Sequence, residues 1–321
     1  MVNIVHLAAL AVAGIAFSAC AHAQYPERPL RFVLPFPPGG GADNLARIVS
    51  VPVGEKLGQQ IVIDNRAGAG GNIAAETVAK AAADGYTLLQ ANVSHAISAS
   101  LYRKLSYDLT RDFTPVTELA SIPFVLLATP SFPARTIQEL IAAAKAKPDA
   151  YAYASSGAGG PSHMAMEMMK AAAGISLRHV PYKGAAPAAT DVVSGQVQLG
   201  YFTVSAALPL ITSGRLRAIA IASAQRSVLA PDIPTVSESG LPGFEATTWF
   251  GVMVPKGTPS PVVNTLYEAF KLALGQAHVR ERLVHQGFDL VGSTPAEFSQ
   301  HVMAELPKWA KAVKAAQARA D

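Results

Sequence analysis

Three glycine-rich segments of this chain could hold an anion by backbone alone: RFVLPFPPGGGADNLARIV (31–49), IVIDNRAGAGGNIAAETVAK (61–80) and YAYASSGAGGPSHMAMEMMK (151–170). Each runs from an apolar, strand-like stretch through consecutive glycines into an amphipathic, helix-like stretch. Glycine lets N–H groups come close to a ligand, and a helix N-terminus adds unpaired donors and partial positive charge. The residues so placed are Gly39, Gly40, Gly41 and Asp43, then Gly70, Gly71 and Asn72, then Ser155, Ser156, Gly157, Gly159, Gly160, Ser162 and His163. Such donors suit a carboxylate through charge-assisted hydrogen bonds. Phosphate fits less well, because no lysine sits among the glycines.

Other chemistries lack their residues. No G-x-x-x-x-G-K-[ST] run occurs, and the dinucleotide pattern G-x-G-x-x-G/A fails at Asn44, Ile73 and Ser162 when begun at Gly39, Gly68 and Gly157. Ser162-His163 is an adjacent pair, and neighbours on a helix do not face each other. No G-x-S-x-G elbow accompanies it. His163 and Glu167 lie one turn apart, but no further motif completes a metal set. The expectation is a protein without catalytic residues, metal or cofactor. Asp43 reads either as a first-turn acid matched to the helix dipole or as a group that orients water or ligand. His163 reads as a ligand donor, a cap or a packed imidazole. Ser94-His95 follows the strand-like run 86–91, at the strand end where open α/β sheets bind ligands.

The elements needed to position these loops alternate along the chain. Strand-like runs fall at 31–35, 61–64, 86–91, 124–129, 151–154, 197–202, 218–222 and 250–254. Helical stretches fall near 43–57, 72–83, 136–147, 162–173, 185–195, 205–213, 261–276 and 295–318. This predicts an α/β fold with two Rossmann-like lobes, largely parallel sheets, and a ligand cleft between the lobes. Thr136-Ile137-Gln138-Glu139 and Thr294-Pro295-Ala296-Glu297 are capping boxes, and Ser260-Pro261 opens a helix with Val262, Val263, Leu266, Phe270 and Leu274 on one face. Two segments could carry the chain between lobes, Ala120–Leu126 and Thr247–Val254. The division expected is lobe 1 at 24–123 and 250–321, and lobe 2 at 124–249. Trp249 and Phe250 at the second crossover read as core or as a cleft wall.

Residues 1–23 hold no Lys, Arg, Asp or Glu and end in Ala21-His22-Ala23, a small-residue cleavage pattern. Cleavage there would leave 298 of the 321 residues, starting at Gln24, in the periplasm. The alternatives are acylation at Cys20 and an uncleaved anchor helix. Cys20 is the one cysteine, so the mature chain would carry no disulfide or thiol nucleophile. The net charge of +4 comes from scattered residues, without the basic block or aromatic platform that nucleic acid requires.

Taken together, YPERPLRFVLPFPPGGGADNLAR, VIDNRAGAGGNIAAETVAKAAADGYTLL, HVPYKGAAPAATDVVSGQVQLGYF, GRLRAIAIASAQRS, PDIPTVSESGLPGFEATTWFGVMVPKGTP and GSTPAEF closely resemble the tripartite tricarboxylate transporter substrate-binding family, also called Bug or TctC proteins. They span nearly the whole chain beyond residue 23. The resemblance implies a two-lobed, monomeric periplasmic binding protein that captures a small carboxylate and delivers it, without chemistry, to membrane permease subunits. It implies two pincers, Phe36–Asp43 and Gly68–Asn72, with Ser94-His95 and the Ser155–His163 loop facing the cleft. One departure bears on specificity. After Gln196–Gly200 similar proteins usually continue Phe-Asp-Asn, whereas here the run is Tyr201-Phe202-Thr203. Thr203 cannot supply the charge that would pair with an amino group, so the ligand expected is a non-amino carboxylate. A sensor that hands its ligand to a signalling partner and a periplasmic hydrolase remain the alternative classes.

Overall fold

The structure is a computed structural model that describes residues 25–320; the expected signal segment, its cleavage site and Cys20 lie outside the described residues. In chain order the elements are β1 (Leu30–Leu34), α1 (Gly41–Leu57), β2 (Ile61–Asn65), a 3-10 turn (Ala69–Gly71), α2 (Asn72–Ala79), β3 (Thr87–Asn92), α3 (Val93–Leu101), β4 (Phe113–Ala128), α4 (Ile137–Ala146), β5 (Ala152–Ser155), α5 (Pro161–Ala173), β6 (Arg178–Pro181), α6 (Ala185–Ser194), β7 (Leu199–Thr203), α7 (Val204–Thr212), β8 (Arg217–Ile221), β9 (Thr247–Pro255), α8 (Ser260–Gly275), α9 (Ala277–His285), β10 (Asp289–Leu290) and α10 (Pro295–Ala315). Among the described residues no helix is long and apolar enough to cross a membrane.

The strands form one curled sheet in the order β2-β1-β3-β9-β4-β7-β5-β6, with β8 and β10 also on β4. Its two ends are parallel, as the alternation predicts: β1 pairs β2 and β3, and β5 pairs β6 and β7. The middle is not. The strands β3/β9, β4/β9, β4/β7, β4/β8 and β4/β10 all run antiparallel, which corrects the expectation of largely parallel sheets. The first 11 residues of β4, Phe113–Pro123, run along β9, and the rest, Phe124–Ala128, lies between β7 and β8. Pro115 and Pro123 hide the early part of this strand from a pattern reading, since proline removes a ladder donor. The register slips beside Pro115, where a bulge absorbs the missing bond.

Apolar residues alternate between the two faces. On β1, Phe32 and Leu34 join a core with α1, α6, α7, α8 and α9, while Val33 joins a core with α2, α3, α4, α5 and α10. The same period of two sends Trp249 and Phe250 to opposite faces, so the pair does not form one cleft wall. Trp249 is fully buried and donates its indole N–H to Glu305 on α10 at 2.9 Å. Phe250 packs edge-on against Phe288. Trp309 also donates to Glu305, at 2.6 Å, and Lys308 donates to its other oxygen. His301, one turn earlier on α10, donates Nδ1–H to Glu118 of β4. This cluster fastens α10 to both long central strands.

Candidate functional site

The first loop joins β1 to α1. Gly39, Gly40 and Gly41 are exposed, and Gly40 caps α1 with no side chain on the helix N–H groups. Asp43 lies behind them, 2 % exposed, and both its oxygens are occupied. Oδ2 accepts from the Gly39 N–H at 3.0 Å and Arg47 Nε at 2.8 Å, and Oδ1 accepts from Asn65 Nδ2 at 3.1 Å. Asn65 also donates to the Phe36 carbonyl at 2.9 Å. Burial pushes the Asp43 carboxyl up, but bonds from Arg47, Gly39 and Asn65 hold it below the usual range. Asp43 is therefore a positioning acid that fixes the bend of the loop. Asp43→Ala should weaken ligand binding about tenfold by freeing the Gly39 end of the loop. Titration calorimetry checks this, and an unchanged affinity would mean the bend is set elsewhere.

The second loop packs beside the first. Gly71 is buried at φ +99, and a Cβ built there would lie 2.9 Å from Pro35 Cβ and 3.2 Å from His95 Nε2. Asn72 opens α2, and its Oδ1 accepts from Tyr107 OH at 2.7 Å. His95 is fully buried. Its Nδ1 accepts the Asn92 N–H at 3.1 Å, so Nε2 carries the proton and donates to the Gly71 carbonyl at 3.3 Å. Burial lowers this imidazole to about 4, outweighing its backbone bonds. His95 is thus a neutral brace between α3 and the second loop rather than a charged ligand donor. Ser94 is half-buried and gives its N–H to Asn92 Oδ1, the cap of α3. The Nδ2 groups of Asn72 and Asn92 are buried without a protein acceptor, which leaves two donors at this end of the sheet.

The third loop joins β5 to α5, and Gly160 caps α5 with no side-chain bond. Ser156 N–H donates to Ser162 Oγ at 3.1 Å, and the two hydroxyls lie 3.0 Å apart. Gly159 N–H donates to His163 Nδ1 at 2.9 Å. Ser155 Oγ lies 2.7 Å from His179 Nε2 and 3.1 Å from the Gly157 carbonyl. That Ser–His pair does not present a nucleophile: Ser155 is 1 % exposed behind the loop. Ser162 and His163 also turn inward, leaving Ser156 and Ala158 exposed and Gly157 and Gly160 partly so.

Sequence reasoning missed two parts of this site. Gly184 begins α6 with no side-chain cap, and its N–H donates to the Ser156 carbonyl at 3.0 Å, so a fourth glycine-capped helix start adjoins the third loop. A glycine just ahead of the helical run 185–195 was the available signal. His179 had none, because its partners come from β5 and α5. Thr203 is half-buried at the β7–α7 junction, with Oγ1 3.4 Å from Ser205 Oγ. Ser205 and Val204 also pack against Gly287, between α9 and β10. Across the sheet Leu101, at the end of α3, packs against Gly159, so the third loop and the α3 that carries Ser94 and His95 adjoin. Trp249 and Phe250 both lie in the core, Trp249 against α10 and Phe250 against Phe288.

A family model described as the tripartite tricarboxylate transporter family receptor matches residues 45–317. The protein BugT of Bordetella pertussis is 38% identical over 307 residues, 95% of this chain and 94% of its own. Two solved structures from Rhodopseudomonas palustris are similar. Rpa4515 with adipate has a TM-score of 0.78 at 37% identity, covering 91% of this chain and 98% of that one. MatC with bound malate has a TM-score of 0.76 at 35% identity, covering 90% and 100%.

Proposed function

The chain belongs to the tripartite tricarboxylate transporter receptor family, and from that premise we propose that it captures a small non-amino carboxylate between two lobes and delivers it to membrane permease subunits. The lobes are 24–123 with 250–321, and 124–249, and the export signal is cut after Ala23. One observation carries the reading. At the three loops the acids, histidines and hydroxyls are mostly spent on holding the backbone, and α1, α2 and α5 each begin on a glycine cap without a side-chain bond. What remains for a ligand is N–H groups at helix N-termini, which suit an anion that needs no reaction. The adipate and malate held by the two similar proteins make aliphatic dicarboxylates the first class to try. Thr203, which brings no charge, favours acids without an amino group. Closure follows from contacts made to both lobes, because a ligand shifts an equilibrium only by its differential affinity.

The test pairs a ligand panel with one substitution. The refolded mature protein is screened by thermal shift against di- and tricarboxylates, aromatic acids, amino acids and phosphorylated compounds. A ligand at 100 times its dissociation constant adds about 2.7 kcal/mol, a shift of a few degrees for a chain this long. Gly40→Ala then asks whether the glycine loop is the grip. Gly40 has φ −83, and a Cβ there meets nothing within 4 Å, so the variant should fold as well as the parent. Its affinity for the acid found should fall about tenfold or more, because the methyl stands where the ligand approaches the N–H groups. Full affinity in Gly40→Ala would remove the first loop from the site. Shifts given by amines or sugars alone, or by glutamate and aspartate in preference to their deaminated analogues, would overturn the ligand class.

A further inference from the structure

Two imidazoles from different elements meet beneath the third loop. His163 of α5 and His179 of β6 stack with centroids 3.8 Å apart and planes 7° apart, and the Tyr153 ring lies nearly parallel to both. Each ring holds a different part of the loop: His163 Nδ1 accepts the Gly159 N–H, and His179 Nε2 bonds the Ser155 hydroxyl, which also reaches Gly157. An Nδ1 that accepts cannot carry a proton, so a proton added to His163 would set donor against donor at Gly159. Stacked at this distance, the two rings cannot comfortably carry charge together.

The charged and titratable groups facing the pair are few. From β5 there is Tyr153, whose hydroxyl donates to Glu167. From α5 there are Glu167, with Oε1 3.9 Å from His163 Nε2, and Lys170, which donates to that same oxygen at 2.6 Å. On β6 itself Arg178 turns away to the Asp149 carbonyl. Among the described residues the one acid that acts on the rings, Glu167, is thus spent on Tyr153 and Lys170. Burial first, then His179 and Lys170 against the pull of Glu167, lowers His163 to about 4. Burial also lowers His179, with Glu167 opposing.

We propose that His163 and His179 form a proton-sensitive latch for the third loop, which keeps the shape that grips a carboxylate only while His163 is uncharged. The two histidines are positioning residues, and the proposal rests on the reading that this loop faces the ligand. On acidification a proton taken by His163 at Nδ1 should release Gly159 and loosen the loop before the protein unfolds.

The latch is tested first without ligand. Imidazole nitrogens and the Gly159 amide of the 15N-labelled mature protein are followed by NMR from about pH 7.5 to about pH 4. The Gly159 resonance should move together with proton uptake by His163; an amide that stays fixed while His163 protonates overturns the latch. Adipate is then titrated at about pH 7.5 into His179→Phe, which keeps a stacking ring but loses the Ser155 bond, and into His179→Gln, which keeps a polar partner for Ser155. A roughly tenfold loss in His179→Phe with partial rescue in His179→Gln is expected. Wild-type affinity in both variants overturns the latch, and if His179→Phe does not fold, His179→Gln and the NMR titration decide. If the wild type binds neither adipate nor any acid of the panel, the proposed function fails, and the NMR titration still judges the latch.

Discussion

Gly71→Val should destroy carboxylate binding and destabilise the fold by about 3 kcal/mol or more. Two effects add. At φ +99 a β-branched residue is strained by roughly 1–3 kcal/mol, because its Cβ crowds the backbone. The new side chain also has no room, since its Cβ alone would sit 2.9 Å from Pro35 Cβ and 3.2 Å from the His95 ring. Overpacking of this kind costs roughly 1–3 kcal/mol. The obstacle is thus Pro35 and His95, which belong to the neighbouring loop and to α3, so both pincers and the brace between them should shift together. Urea denaturation reads the stability and calorimetry with the identified acid reads the affinity. A Gly71→Val protein that folds and binds normally would show that the second loop is no part of the grip.

Glu305→Ala should produce the largest loss of stability away from the site, about 3–5 kcal/mol. The carboxylate is 3 % exposed and accepts from two buried indoles and Lys308, with His301 Nε2 3.7 Å away. Its removal strands two buried N–H donors and leaves α10 held to β9 by the packing of Phe298 on Trp249 and Gly251. The pH dependence supplies a second check. Burial lowers His301, but the bonds and charges of Glu118 and Glu305 outweigh it and raise the group from 6.5 to about 9. Its stabilisation is therefore complete below the ordinary value and is lost as pH rises through about 9. Burial raises Glu305, yet His301, Lys308 and Trp309 bring it from 4.5 down to about 2, so its share is full above 4.5 and is lost as pH falls through about 2. The cluster contributes most between 4.5 and 6.5. Urea midpoints of the wild type should fall between about pH 6 and about pH 9.5, and fall less in Glu305→Ala, where His301 keeps only Glu118. Equal slopes in the two proteins would mean that His301 and Glu305 are not coupled.

Local signals made most of the elements legible. The runs 31–35, 61–64 and 151–154 and the helices that follow the glycines begin within two residues of where apolar period and caps put them, although α2 stops at Ala79, four residues short of the expected end. Thr294 and Glu297 form the capping box, and Thr136 caps α4. Elements with a split signal were not legible. The strand β4 carries two prolines, α3 is a short Ser/Ala-rich helix directly abutting β3, and β6 has only four residues at the edge of the sheet. The two segments expected to carry the chain between lobes, 120–126 and 247–254, lie within the long paired strands β4 and β9, and their antiparallel run through the sheet centre cannot be read from strand order alone.

For the site, the sequence by itself determined which backbone could meet an anion, because a run of glycines between strand and helix has one physical consequence wherever it folds. It also pointed, through the residues that resemble the tripartite tricarboxylate transporter receptors, to the family whose model matches residues 45–317. Only the tertiary structure decided what the side chains among those glycines do. Asp43 meets Asn65 from the next strand, His95 meets Gly71 from the preceding loop, His163 meets His179 from β6, and Trp249 meets Glu305 from the last helix. Each partner lies on a different element of the chain. A polar group's role depends on which partner satisfies it once water is excluded, and burial makes that choice only after the sheet has closed.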